Sequence, residues 1–315
     1  MIMGVSDAME SSAERESVMK LLMEGFCQGV RTAGSTVSGG QTILNPSPII
    51  GGVASAVIDR ESLVRNDSIQ DGDYLVLTKP LGTDMAVRRY TQLHGSTSMP
   101  EDIAEIREAY DLAVRSMAHL NLAAGSLLRK HCSTGATDIT GFGLLGHAEN
   151  LASVQLTSVA LRFFVLPCIC GTTYRGTPTA GSWNVKLLSG RGVETSGGLL
   201  AAFRTLKEAD AYIADIRRIG GTESWVVGRG VEKCDALALI KTLPGDESLI
   251  HGRYNSSRIH TIAIEEISTS TTPQASKEDT ICVLEVSASD LFLRENIESE
   301  ETCRYNQEEL AKRLM

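Results

Sequence analysis

Apolar residues at Val18, Leu22, Phe26 and Val30 recur every four positions, the stripe of one helix face. Ser11 followed by Glu14 reads as a capping box that opens this helix, and Gly34 as its C-cap. Before it, Met1 to Val5 reads as a strand entered partway, so the chain is expected to begin inside a domain. Ser35 to Ser38 reads as a short strand ending at Gly39-Gly40. Pro46 and Pro48 mark a loop, and Ile49 to Ile58 a second strand rich in small residues.

Further along, Asp71-Gly72 is a turn signal and Tyr74 to Thr78 a buried strand. Lys79-Pro80-Leu81-Gly82 then leads into a helix. Glu101 to Lys130 is a long helical region with a break near Asn121, and Thr134 to Thr140 runs into a glycine cluster. Gly198 to Phe203 and Trp225 to Gly228 read as later strands with a helix, Leu206 to Arg218, between them. Ser268 to Ser276 is a linker by composition. Beyond it come an acidic run, Glu295 to Glu301, and a short amphipathic helix, Gln307 to Leu314. Helices and strands alternate without the regular period of a barrel, so the predicted class is α+β, sheets covered by helices. The expected domains are 1–67, 68–267 and a tail at 268–315.

Composition changes this picture little, because 42% apolar and 22% charged residues are ordinary for a globular chain able to bury a sizeable core. Aromatic residues make up only 5%, so that core must be aliphatic. The net charge is −9. With no cluster of Lys and Arg to displace counterions, nucleic acid is not an expected partner. No stretch has the length and apolarity of a membrane span, and the N-terminus lacks a signal-peptide pattern. Seven scattered cysteines without zinc or redox spacing read as reduced thiols of a cytoplasmic protein.

Candidate chemistry lies in three glycine-rich segments. In Ser38-Gly39-Gly40-Gln41-Thr42, successive glycines let backbone N–H groups converge as an anion nest, with Gln41 and Thr42 adding donors. The competing reading is a tight turn without ligand. In Thr137-Asp138-Ile139-Thr140-Gly141-Phe142-Gly143-Leu144-Leu145-Gly146-His147, a carboxylate precedes a glycine turn into a helix. A helix N-terminus attracts anions, whereas Asp138 repels a bare phosphate; a bridging Mg²⁺ resolves the conflict. The alternative is that Asp138 caps the helix. Gly141, Gly143 and Gly146 also match the dinucleotide fingerprint, but the lead-in is polar and no acid lies between Gln155 and Cys170. His147 alone reads as structural. The third segment, Glu194-Thr195-Ser196-Gly197-Gly198, places hydroxyls and glycines before an apolar strand; by itself it reads as a turn held by local Ser/Thr hydrogen bonds.

Taken in order, these segments resemble the selenophosphate synthetase family. Gly39-Gly40-Gln41-Thr42-Ile43-Leu44-Asn45-Pro46 looks like its nucleotide segment in eukaryotic form. Leu75 to Thr83 is similar to the opening of its second domain, Ala136 to His147 to its metal-aspartate motif, and Glu194 to Leu200 to its Thr-Ser-Gly-Gly motif. The resemblance covers about residues 1–265. It implies the two-domain architecture of aminoimidazole ribonucleotide synthetase, shared with related ATP-binding enzymes of purine and thiamine biosynthesis. It implies ATP and Mg²⁺ as cofactors, selenide as substrate, and a homodimer formed through the first domain. Gly39, Gly40, Gln41 and Thr42 would then hold the nucleotide and Asp138 the metal.

The family's N-terminal loop with Cys or selenocysteine, its Lys and its further metal aspartates find no counterpart here, and no catalytic residue is assigned. The chain is therefore expected to be a shortened, inactive form. A non-catalytic nucleotide-binding paralogue and a purine-pathway synthetase are the alternatives.

Overall fold

The computed structural model describes residues 1–9, 11–95, 102–172, 187, 190–232 and the backbone of 259–263. The linker at 268–276, the acidic run at 295–301 and the helix expected at 307–314 lie outside the described residues. The chain divides into two compact units, Met1–Leu63 and Val64–Met315.

The first unit is built on β1 (Ile2–Ser6), α1 (Ser12–Thr32), β2 (Gln41–Asn45) and β3 (Ile49–Gly51). Ser11 caps α1 by accepting from the Glu14 amide at 3.3 Å, and Gly34 takes the left-handed conformation after its end. The stripe Val18, Leu22, Phe26 and Val30 is half-buried, and no α1 residue is fully buried. The sheet order is β2-β1-β3, with β1 parallel to β2 and antiparallel to β3.

Two expected strands differ in extent. Residues 35–38 are not a strand; pairing begins only at Gln41, whose N–H meets the Met1 carbonyl at 3.0 Å. The expected strand 49–58 stops at Gly51, which already lies opposite Ile2, the first residue of β1. The ladder has no further rung to offer.

The second unit is organised around a five-stranded antiparallel sheet of order β5-β8-β4-β9-β6. Its strands are β4 (Tyr74–Leu77), β5 (Gly135–Asp138), β6 (Val159–Phe163), β8 (Leu199–Phe203) and β9 (Trp225–Glu232). Alternate residues feed opposite faces, as the two-residue period of a strand requires. Leu75, Leu77, Leu200, Ala202, Trp225 and Val227 enter one core with α5 (Gly143–Ser153). Val76, Ala201, Phe203 and Val226 enter the other, under α4 (Leu122–Lys130) and α6 (Leu206–Gly220). Both faces are covered, which explains why β4 and β8 read as continuous apolar runs.

Two more helices, α2 (Thr83–Gly95) and α3 (Ile103–Ala118), pack with β7 (Val165–Ile169), which pairs with β10 (Ile259–Ala263). The helical region 101–130 breaks where expected: α3 ends at Ala118, and Asn121 is the N-cap of α4.

Candidate functional site

One end of the five-stranded sheet gathers the chemistry of the second unit. Because β4 and β5 both run antiparallel to β8, the C-terminal ends of β4 and β5 meet the N-terminal end of β8. Three segments converge there: Thr78 to Thr83, Asp138 to Gly143, and Glu194 to Leu199.

Asp138 is the last residue of β5, opposite Leu199. Its side chain is exposed, and among the described residues no hydrogen bond or ion pair reaches its carboxylate. It does not cap the following helix: Phe142 is the N-cap of α5, with no side-chain hydrogen bond. The adjacent Ile139 is fully buried and donates its N–H to the Gly198 carbonyl at 2.9 Å. Asp138 is thus an outward carboxylate on a tethered backbone. No group of three or more His, Cys, Asp or Glu with metal-binding geometry occurs among the described residues. That donor set does not suit a protein cage, but it fits Mg²⁺, which keeps several waters and takes one or two carboxylates plus phosphate oxygens.

The glycine turn after Asp138 is laced by its own side chains. Thr140 Oγ1 and His147 Nε2 lie 3.0 Å apart, and the Phe142 and His147 rings are 5.4 Å apart. Phe142 itself is 67% exposed. Gly143 is left-handed, and a Cβ there would sit 2.7 Å from the Arg191 carbonyl carbon. The dinucleotide fingerprint finds no Rossmann context, since among the described residues β5 pairs only with β8, antiparallel.

The third segment departs from its sequence reading. The hydroxyls that hold the turn come from a distant segment: Thr195 N–H donates to Thr83 Oγ1 at 3.0 Å, and Leu199 N–H to Thr78 Oγ1 at 2.7 Å. Two buried charges flank it, and neither was singled out from the sequence. Glu194, 3% exposed, accepts from the N–H groups of Gly82 and Thr83 at the start of α2, at 2.7 and 3.0 Å, and from Thr83 Oγ1 at 2.6 Å. Burial pushes its carboxyl up to about 7, against the opposing pull of these donors. Lys79, also 3% exposed, has its amine pulled down to about 8 by burial. The available signal was an ionisable residue directly after an apolar strand or before paired glycines, where solvent has little room.

In the first unit, Gly39 and Gly40 are exposed, and neither is left-handed. The alternating conformation of an anion nest is therefore not formed. A Cβ on Gly40 would collide with the Met1 carbonyl oxygen, so close approach to β1 accounts for that glycine. Gln41 and Thr42 open β2 with exposed side chains.

The chain is 42% identical over 243 residues to "Selenide, water dikinase" of Trypanosoma brucei brucei (strain 927/4 GUTat10.1), covering 74% of this chain and 60% of that protein. It is 38% identical over 252 residues to human "Selenide, water dikinase 2", covering 78% and 55%. The chain thus spans little more than half the length of these relatives. Among solved structures, thiamine-monophosphate kinase from Stenotrophomonas maltophilia K279a shares the fold at 18% identity and a TM-score of 0.50, covering 73% of this chain and 68% of that one. The model for "AIR synthase related protein, C-terminal domain" matches residues 70–239, more than half of the sequence and all five strands of the central sheet, and the chain belongs to that family.

Proposed function

We propose that the protein is a selenide, water dikinase, converting ATP, selenide and water to selenophosphate, AMP and phosphate. The observation that carries this reading is the identity of 34–42% to relatives bearing that name, over about three quarters of the chain. The free carboxylate of Asp138 at the sheet end supports it.

In this reading Asp138 holds Mg²⁺, and Gly39, Gly40, Gln41 and Thr42 contact the nucleotide. The ion, when bound, supplies charge neutralisation for phosphoryl transfer. The protein's part is positioning: the Ile139–Gly198 hydrogen bond keeps the Asp138 backbone fixed while its side chain faces outward. Gln41 and Thr42 offer exposed side-chain donors from β2.

A cytoplasmic homodimer belongs to the same proposal. Exposed apolar side chains on β2 and β3 support the dimer, with Leu44 68% exposed. The 315-residue chain is expected to bind Mg–ATP. Titration calorimetry with ATP and Mg²⁺ tests the reading, and no heat of binding at millimolar nucleotide overturns it.

A further inference from the structure

Lys79 lies two residues beyond the end of β4 and is buried, yet it makes no ion pair among the described residues. Its ammonium donates to three backbone carbonyls: Ser116 at 3.0 Å, His119 at 2.6 Å and Ser196 at 2.8 Å. An ammonium has three N–H donors and no acceptor, so the set is fully matched. Two of the carbonyls belong to the C-terminal end of α3, where the helix dipole favours a cation. The third does not. Ser196 lies across the sheet end in the Thr195–Gly198 turn, and its φ is +50°. A residue with a Cβ persists in that left-handed conformation only where its surroundings enforce it.

The turn is then connected step by step to Asp138. Gly198 O accepts from Ile139 N–H at 2.9 Å, and Asn121 Nδ2 holds Gly197 O at 2.8 Å. A Cβ on Gly197 would collide with the Ile139 carbonyl oxygen, and one on Gly198 would lie 2.5 Å from the Lys79 amide nitrogen. The turn and the Asp138 strand end therefore fit together with no slack.

We propose that Lys79 is a positioning residue: by holding the Ser196 carbonyl it keeps the Thr195–Gly198 turn in its left-handed form, and that turn in turn fixes the backbone beneath Asp138. The consequence for ligand binding rests on the reading in which Asp138 holds the metal; the consequence for the backbone does not.

The test uses Lys79→Met, Ser196→Gly and the double variant in the full 315-residue chain. Two quantities are read: protection of the Ile139 amide by hydrogen exchange, and Mg–ATP affinity by calorimetry. Lys79→Met should lower both about tenfold. Ser196→Gly alone should leave affinity within twofold. In the Lys79→Met background it should restore both quantities at least in part, because glycine adopts positive φ without a clamp. Unchanged Ile139 protection in Lys79→Met overturns the proposal. A loss that Ser196→Gly does not relieve overturns it too, leaving Lys79 as a cap of α3.

If wild-type chain protects Ile139 but binds no Mg–ATP, the nucleotide reading fails while the exchange data still decide the role of Lys79. Should Lys79→Met not fold, the wild-type amide resonances of Gly197, Gly198 and Ile139 decide. They should titrate together with a midpoint near the Lys79 value of about 8. Two other titratable groups lie near the turn: His119, lowered by burial and by Lys79, changes charge below that midpoint, and Glu194, raised to about 7, is removed from the readout by repeating the titration in Glu194→Gln. Resonances flat between pH 7 and 9 overturn the proposal.

Discussion

The Thr83 hydroxyl donates to Glu194 Oε2 at 2.6 Å and accepts from the Thr195 amide at 3.0 Å. One side chain at the start of α2 thereby holds both a buried carboxyl and the turn that follows it. Glu194 is raised from its ordinary 4.5 to about 7, burial being the largest cause. Between those values the folded chain keeps a proton that the unfolded chain has lost. The contribution of Glu194 to stability is therefore greatest below pH 4.5 and declines as pH rises to 7. Glu194→Gln, whose amide nitrogen cannot accept from the Gly82 or Thr83 N–H, should be less stable than wild type at pH 5 and should lose less stability than wild type between pH 5 and pH 8. That difference in pH dependence is at most a few kcal/mol, since a tenfold change in proton affinity is worth about 1.4 kcal/mol. Urea denaturation at the two pH values measures it; a difference independent of pH would show that Glu194 is not protonated in the fold.

Asp138 is exposed and without a side-chain partner among the described residues. Asp138→Ala should change stability by less than about 0.5 kcal/mol, as surface substitutions usually do. It should nevertheless weaken Mg–ATP binding at least tenfold, read by calorimetry. Equal affinity in the two proteins removes Asp138 from the metal site.

The glycines of the sheet end should separate sharply. A Cβ at Gly141 meets nothing within 4 Å, whereas one at Gly197 collides with the Ile139 carbonyl oxygen. Gly141→Ala should be nearly neutral in thermal melting. Gly197→Ala should cost about 1–3 kcal/mol, the range for overpacking a filled site. A costly Gly141→Ala would show that the turn is closed around Gly141 rather than open.

The first unit leaves Ile43, Leu44, Ile49 and Ile50 each more than 40% exposed on β2 and β3. If these strands carry the dimer, Leu44→Glu should shift the chain toward monomer in light scattering, because an unpaired charge is costly to bury at an interface. A dimer of unchanged strength would place the interface elsewhere.

The sequence by itself determined those elements whose signal is local. The four-residue stripe of α1 is the half-buried side of that helix. The polar break at Asn121 separates α3 from α4, and the apolar runs of β4 and β8 are central strands covered on both faces. Each rests on neighbours within a turn or two of chain, where period and capping chemistry are legible. The family motifs were legible for the same reason, as short contiguous runs.

Only the tertiary structure decided which charges are buried and what satisfies them. The partners of Lys79 lie 37, 40 and 117 residues away in the chain, and those of Glu194 at the α2 start lie 111 and 112 away. Apart from the Thr83 hydroxyl they are backbone atoms, which carry no residue-type signature. Sheet order acts in the same way. β8 enters the interior of the sheet only by antiparallel pairing with two strands that lie much earlier in the chain, and that pairing brings the turn at 195–198 against Asp138. A backbone carbonyl is identical in every residue, so its role as a ligand for a buried ammonium emerges only when the chain is folded.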